Sequence, residues 1–576
     1  MLSASRRRTF GFLGVLVLLT ASSAYAQLSS ASVTGIVRDS TGSVVPNVKI
    51  TLRNAGTTVE RIATSNSAGN YVFLNITPGV YTLEAAATGL QTTQIPNVTL
   101  DVNQTATLDI TMQVGTLQQT VSVEASGELV QAATSELGAV VSTKQVLDLP
   151  LNGRNFTQLL SLTPGVVPIS VAQNAGSGFG NVAQGTNFEF PSINGQTNRS
   201  NFFMTDGLNN QGAFSGTYAV PPIIDSIQEF KVNSHNDQAE FGGALGGIVN
   251  VATKSGTNEL HGTLWEYLRN DAFNARNTFQ NSVTVFRQNQ FGVSAGGPVM
   301  FPKLYNGKNK TFFFGAWEGF QYSRASNTFL HLPTDAELAG NLAGQVQAYD
   351  PLTTRPDPNN PGSYIRDPFP GNQIPANRID NRLVSFAKSI RPPLINTGVA
   401  NNNAIDNTPF RQHQNEYSAR IDQNVGAKDF FWFRYSSIYY DTSGSGGLPG
   451  ILNSITDNPG QNYGASWVHT FSPGLIMQAQ YGRAHQETNS FTSYNNLSAS
   501  TISSLGFDPN FYSNFIGNLS VVPAISINGY SGPIPGAGRS LNPNETNVHQ
   551  WKANVGCGDR LRLLSGSSRD AVERMS

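Results

Sequence analysis

Seven histidines, 37 acidic residues and one cysteine are the groups in this chain that could carry covalent or metal chemistry. Their spacing argues against it. A zinc hydrolase needs H-E-x-x-H on one helix face, a serine esterase needs G-x-S-x-G on a tight turn, and a redox or zinc site needs paired C-x-x-C runs. The chain has no H-E-x-x-H run and no paired C-x-x-C, and its G-x-S-x-G run, Gly292-Val293-Ser294-Ala295-Gly296, lies inside the alternating stretch 286–299 rather than on a strand-to-helix turn. His235 and Glu240 have the wrong spacing to share a helix face, and the lone Cys557 leaves the body without a thiolate pair. The glycine run Gly242, Gly243, Gly246 and Gly247 lacks the Lys-Ser or Lys-Thr pair of a phosphate loop, and it leads into the β-branched stretch Ile248-Val249-Asn250-Val251 rather than a helix. Glycine there permits close backbone approach instead. No catalytic residue, metal site or cofactor is expected, and the chain reads as a non-enzyme. The chemistry that remains is main-chain pairing. Gln119-Thr120-Val121-Ser122-Val123-Glu124-Ala125 is β-prone and could add as a strand to a partner's sheet, where backbone hydrogen bonds supply the affinity. It reads equally well as the last strand of whatever precedes it.

The elements around these residues are strands. Lys plus Arg total 36 against 37 acidic residues, a balance that argues against a nucleic-acid partner. Only 13% of residues are charged and 39% are apolar, with Gly, Asn, Ser, Thr and Gln filling the gap. That mixture suits strands with one apolar and one uncharged polar face. At the start, Arg6-Arg7-Arg8, the apolar run Phe10 to Leu19 and Ala24-Tyr25-Ala26 form a secretory leader, with cleavage expected between Ala26 and Gln27.

Residues 32–113 alternate in short runs separated by turn formers such as Asn66-Ser67-Ala68-Gly69-Asn70, as in a small β-sandwich. Gly35-Ile36-Val37-Arg38-Asp39, Pro46-Asn47-Val48, Ser67-Ala68-Gly69-Asn70-Tyr71 and Pro78-Gly79-Val80-Tyr81 make this stretch resemble the carboxypeptidase regulatory-like domain. The resemblance implies a fold and not peptidase chemistry, because no histidine precedes His235. A docking or spacing role is expected over carbohydrate binding.

Leu149-Pro150-Leu151-Asn152-Gly153-Arg154-Asn155-Phe156 runs into an apolar helix around Leu159 to Leu162. With Phe202-Phe203-Met204-Thr205-Asp206-Gly207 and Glu240 to Gly247, it resembles the plug domain of TonB-dependent receptors. That resemblance makes Gln119 to Ala125 a candidate TonB box. From residue 259 onward, alternating strands are expected at 259–270, 286–299, 311–324, 414–424, 428–440, 461–471, 474–487 and 548–555, and all five tryptophans fall within them. Short connections alternate with long ones. The longest, 325–413, holds eleven of the thirty prolines and reads as surface loop. Alternation with loop parity is the lipid-out, lumen-in pattern of an outer-membrane barrel. The apolar face Phe312, Phe314, Ala316, Phe320 and Tyr322, interrupted by Glu318, is read here as part of the lipid side.

The whole resembles a TonB-dependent outer-membrane receptor of the Oar-like group. The expected fold is mainly β: signal peptide 1–26, small β-sandwich 27–117, TonB box and α+β plug 118–254, the N-terminal part of a transmembrane antiparallel β-barrel 255–555, and an atypical tail 556–576. The resemblance implies location in a bacterial outer membrane with the first domain periplasmic. It implies outer-membrane lipid and a TonB-type energy-transducing protein as partners, and a siderophore, cobalamin, glycan or peptide as ligand, imported or exported. A non-transporting surface adhesin and a non-functional fragment are the alternatives. A plug-bearing barrel needs about 22 strands. With eight in view, and seven charged residues and no aromatic in 557–576, the expectation is a truncated or frameshifted reading that forms no stable closed pore.

Overall fold

Period-two burial builds the first unit. The computed structural model describes residues 30–115, 120–122, 137–169, 190–196, 200–212, 216, 218–235, 244–279, 282–325, 327–398, 401–445, 452–472, 475–494, 499–506, 527, 529–531, 538–539, 545–557 and 560–569. The leader, with Ala26 and Gln27, lies outside them. Strands β1 (Ala31–Asp39), β2 (Lys49–Asn54), β3 (Glu60–Thr64), β4 (Asn70–Ile76), β5 (Gly79–Ala86), β6 (Thr92–Leu100), β7 (Thr105–Thr107), β8 (Ile110–Met112) and β9 (Thr120–Ser122) form two sheets. One has the order β4-β1-β7, with β8 also on β1, and the other β3-β2-β5-β6-β9. Each strand turns alternate residues inward, so Val33, Val37, Ile50, Leu52, Phe73, Leu83 and Leu100 share one core. This is the expected sandwich.

Two backbones approach closely at Gly35, where a Cβ would stand 1.8 Å from the Leu108 carbonyl oxygen and 2.8 Å from the Tyr71 ring. The Tyr71 hydroxyl donates to the same carbonyl at 2.6 Å. Residues 32–113 expressed alone are expected to melt cooperatively. Gly35→Ala should cost about 3 kcal/mol by overpacking, lowering the melting temperature by roughly 12 °C or more in a domain of this size. Equal melting temperatures would refute the close approach.

A middle unit follows: β10 (Leu137–Val141), α1 (Thr143–Asp148), β11 (Val166–Ile169), β12 (Phe190–Ile193), β13 (Phe202–Thr205), β14 (Leu208–Asn209), β15 (Ile227–His235) and β16 (Ile248–Thr253). Its main sheet has the order β10-β15-β16-β13-β14, with β13 parallel to β16. Phe156, Leu160, Phe203, Phe230, Val232, Val249 and Val251 are its core. The helix expected near Leu159 is a tight 3₁₀ turn, Phe156–Leu162, started by the Asn155 side chain accepting from the Thr157 N–H at 3.0 Å.

The third unit is one antiparallel wall, ordered β17 (His261–Asn270), β18 (Phe286–Pro298), β19 (Thr311–Arg324), β20 (Phe410–Val425), β21 (Asp429–Ser445), β22 (Leu452–Ser472), β23 (Leu475–Gln486), β24 (Thr546–Cys557) and β25 (Arg560–Arg569). The eight expected strands are present, β25 adds a ninth to the main order from a stretch without alternation, and Asn489–Tyr494 and Gly538–Arg539 extend the sheet to eleven strands by pairing off that order beside β22. Among the described residues, β17 and β25 are the two ends of the order and the wall does not close. On β20, Gln412, Gln414, Glu416, Ser418, Arg420 and Asp422 are buried, while Tyr417 and Ile421 are exposed. That is an inside-out strand, polar within and apolar without.

The apolar face of β19 departs from expectation. Phe312, Phe314, Ala316, Phe320 and Tyr322 are buried on the inner side. Phe314 and Ala316 pack on Ile223 of the middle unit. An inward position is polar only where water or a polar partner faces it, and here an apolar surface does. Glu318, which seemed to interrupt the face, keeps the inward parity of the neighbouring strands. The 325–413 connection carries short strand pairs and two helices, α2 (Asp335–Leu338) and α3 (Asn381–Ile390), with Phe386, Ala387 and Ile390 buried. It is tied to the other long connection by His331, whose ring stacks on Tyr530 at 4.5 Å.

Candidate functional site

The inner face of the wall meets the middle unit through two charged clusters, each aimed by a strained turn. Asp206 and Gly207 form the two-residue loop between β13 and β14, with φ of 51° and 75°. Positive φ at both positions is the type I′ geometry that Asp-Gly favours. The loop brings the Asp206 carboxylate to the wall. Its Oδ2 accepts from Arg434 Nε at 2.8 Å, and its Oδ1 from Arg420 Nη1 at 3.3 Å. Thr253 donates to it through its N–H at 2.9 Å and its hydroxyl at 2.8 Å. Arg420 also pairs with Asp422 at 2.9 Å, so two guanidiniums face two carboxylates. Arg434 is 0% exposed. Ions so deeply buried are tolerable only when paired and hydrogen-bonded.

The same hairpin tip reaches two further strands, β22 and β24, by hydrogen bonds. Lys552 Nζ donates to the Gly207 carbonyl at 2.7 Å, and the Asn209 N–H donates to Gln550 at 2.8 Å. Asn462 donates to the Asn209 carbonyl at 3.1 Å. Leu208 fills the space over Gly464, where a Cβ would lie 2.6 Å from its Cδ1.

The second cluster rests on Arg154. Gly153 and Arg154 have φ of 65° and 51°, which turns the guanidinium toward β17. It lies 4.0 Å over the Trp265 ring, pairs with Asp225, and approaches Glu318 at 3.7 Å. Gln290 bridges, donating to the Gly153 carbonyl at 3.2 Å and to Glu318 at 2.6 Å. Glu416 is the cross-strand neighbour of Glu318. Between them and the middle unit is a cavity of about 80 Å³ bordered by Tyr218 and Asn458. Among the described residues, the Tyr218 hydroxyl and both Asn458 amide atoms are buried there without a protein partner, and the space is enough for a few waters.

The first unit sits at the tight-turn end of the wall. Thr58 donates to Asn309 at 2.6 Å and Arg61 to Thr470 at 3.2 Å. It is also clasped to β15, whose alternate residues Phe230 and Val232 enter the core while Glu229 and Lys231 face the turn Asp101-Val102-Asn103. Lys231 Nζ donates to the Asn103 carbonyl at 3.0 Å, and Glu229 accepts from the Val102 N–H. Burial, and then the Asp101 charge, push the Glu229 carboxyl up to about 8.

Of the residues singled out by sequence, Gly153, Arg154, Asp206 and Gly207 converge on the wall. Asn155 caps a turn, and Asn152 opens the turn containing Arg154. Gly246 and Gly247 lie where backbone and Asn201 crowd in, the Gly247 N–H donating to Asn201 at 3.0 Å. Gly242, Gly243, Gln119, Val123, Glu124 and Ala125 lie outside the described residues. Thr120, Val121 and Ser122 form β9 on the edge of β6. Sequence reasoning missed Arg434, Glu318 and Lys552 as anchors. The available signal was a charge at an inward parity position.

Comparison with known proteins accords with this architecture. The model of the carboxypeptidase regulatory-like domain matches residues 32–113. The TonB-dependent transporter Oar of Myxococcus xanthus is 26% identical over 360 residues, covering 58% of this chain and 32% of that protein. The chain thus spans about a third of the length of this relative. The outer membrane transporter YddB of Escherichia coli aligns over 73% of this chain and 44% of its own, at 10% identity and a TM-score of 0.40. Unliganded ferric citrate transporter FecA aligns over 73% and 54%, at 11% identity and a TM-score of 0.34. The model of the outer membrane beta barrel domain matches residues 252–557, more than half of the chain. The chain therefore belongs to the outer membrane beta barrel family, is an outer-membrane protein, and carries a carboxypeptidase regulatory-like domain ahead of its wall.

Proposed function

We propose that this chain is part of a TonB-dependent receptor-transporter. Residues 118–254 are its plug, and Gln119 to Ala125 the segment that recruits a TonB-type energy-transducing protein by strand addition. The observation that supports this most is the seating of a separately cored unit on the polar inner face of an outer-membrane wall, through Asp206 and Arg154. Such anchors hold a plug at rest and are few enough to be broken by a pull. Passage of a ligand then requires the plug to move away from Arg420, Arg434 and Glu318. The ligand is a siderophore, cobalamin, glycan or peptide, and uptake and export are both compatible with this arrangement.

Deleting Gln119 to Ala125 from the full-length gene product is expected to abolish energised transport while leaving its abundance in the outer membrane unchanged. Ligand-depletion profiling of the deletion strain against the parent reads the result. Unchanged transport would remove the support for energised recruitment and favour a surface-binding role.

A further inference from the structure

The recruitment segment already has a strand partner. After β8 the chain runs antiparallel along 89–91, with the Gln91 N–H donating to the Gln113 carbonyl at 2.8 Å and Gly115 N–H to Gly89 at 3.3 Å. Leu90 and Val114 form a bridge between them. Thr120–Ser122 then lies along the same edge in the parallel sense, pairing Thr92 with Thr120, Thr93 with Val121 and Gln94 with Ser122. Thr120–Ser122, the described part of the segment, is thus the terminal strand of the sheet β3-β2-β5-β6-β9. The sheet that holds it is fixed in place, since the same domain is clasped to β15 through Val102 and Asn103.

We propose that the β6 edge of the carboxypeptidase regulatory-like domain is a resting berth for the recruitment segment, and that the energy-transducing partner must displace it to bind. This rests on the reading of Gln119 to Ala125 as the recruiting strand. A strand has two edges. With one edge spent on β6, a partner either adds to the other or takes the segment away. Displacement is favoured by the sense of the pairing: the described residues Thr120–Ser122 pair in parallel register, the slightly weaker kind per residue. A partner that pairs with the segment in antiparallel register gains more per residue than the berth loses. The berth lowers the apparent affinity by the fraction of time the segment is free. It keeps a β-prone strand covered until a partner arrives, which limits unwanted edge pairing. Release also uncovers the Thr92–Gln94 stretch of β6, so the domain itself changes on recruitment.

The test uses the full chain in a Cys557→Ser background with Gln94→Cys and Ser122→Cys, a register pair on the two strands. The probe is the soluble periplasmic domain of a TonB-type protein. The reduced protein is expected to bind it, and the oxidised, bridged protein to bind at least about tenfold more weakly, with full recovery on reduction. Hydrogen exchange at 92–94 is expected to quicken when the probe binds the unmodified protein. Equal or tighter binding by the bridged form would overturn the berth while leaving recruitment intact. So would failure of the two cysteines to bridge in folded protein, or unchanged exchange at 92–94 with probe bound. Absence of binding in both redox states, or full binding by the protein lacking Gln119 to Ala125, would overturn the recruitment reading and the berth with it.

Discussion

Replacing Asp206 by alanine is expected to loosen the middle unit from the wall by about 3–5 kcal/mol, the usual cost of removing one partner from a buried ion pair. Arg420 keeps Asp422 at 2.9 Å. Among the described residues, Arg434 keeps no carboxylate, and its Nη2 is already buried without a partner. The penalty therefore falls on Arg434, which cannot shed its proton. Hydrogen exchange at 203–209 should quicken by about two to three powers of ten. The double change Asp206→Ala with Arg434→Met removes the stranded charge together with its partner and should recover most of the loss. Exchange in Asp206→Ala indistinguishable from the parent would mean that the cluster does not hold the middle unit.

Raising the pH is expected to free the first domain from the middle unit, and Glu229 sets the window. In the docked state its carboxyl is pushed up to about 8 from 4.5, first by burial and then by Asp101, against the pull of the Val102 N–H. Burial also raises Asp101, while the charge of Lys231 lowers it. The docked form therefore holds the Glu229 proton more tightly than the undocked form. By linkage, docking is strongest below about pH 4.5, weakens as pH rises, and loses nothing more from this group above about pH 8. At 1.36 kcal/mol per unit the whole span is worth about 5 kcal/mol. Glu229→Gln keeps an oxygen for the Val102 N–H and should flatten the dependence. Distances between spin labels on the first domain and the middle unit, measured from pH 5 to 9 in both proteins, give the answer. A parent protein whose distances do not change with pH would refute the clasp.

Parity carried the reading of the wall a long way. Alternation alone located the strands around Trp265, Trp317, Trp432, Trp467 and Trp551, because a two-faced strand must alternate wherever its sides meet different surroundings. The orientation of β19 was not legible. An apolar face can point to lipid or to an apolar neighbour, and only the seating of Ile223 decides which. Arg434 was hidden for a related reason. An inward charge looks like any lumen-facing polar residue until its counter-ion is known, and Asp206 is far away in the chain. The turn at Asp206 and Gly207 was legible, because its φ values demand those residue types. What it points at was not.

The hairpin tip also dictates an order of assembly. Its contacts with Arg420, Arg434 and Lys552 span sequence separations of 214, 228 and 345 residues. The β13–β14 hairpin is made early in synthesis, and its anchors emerge only after several hundred more residues. Contacts of such separation form late and slowly, after the cost of loop closure has been met. Until then Asp206 is an ordinary solvated carboxylate with no reason to enter a low-dielectric interior. Charge neutralisation therefore works as a completion signal in biogenesis: the hairpin can bury itself only once the strands bearing Arg420 and Arg434 are in place.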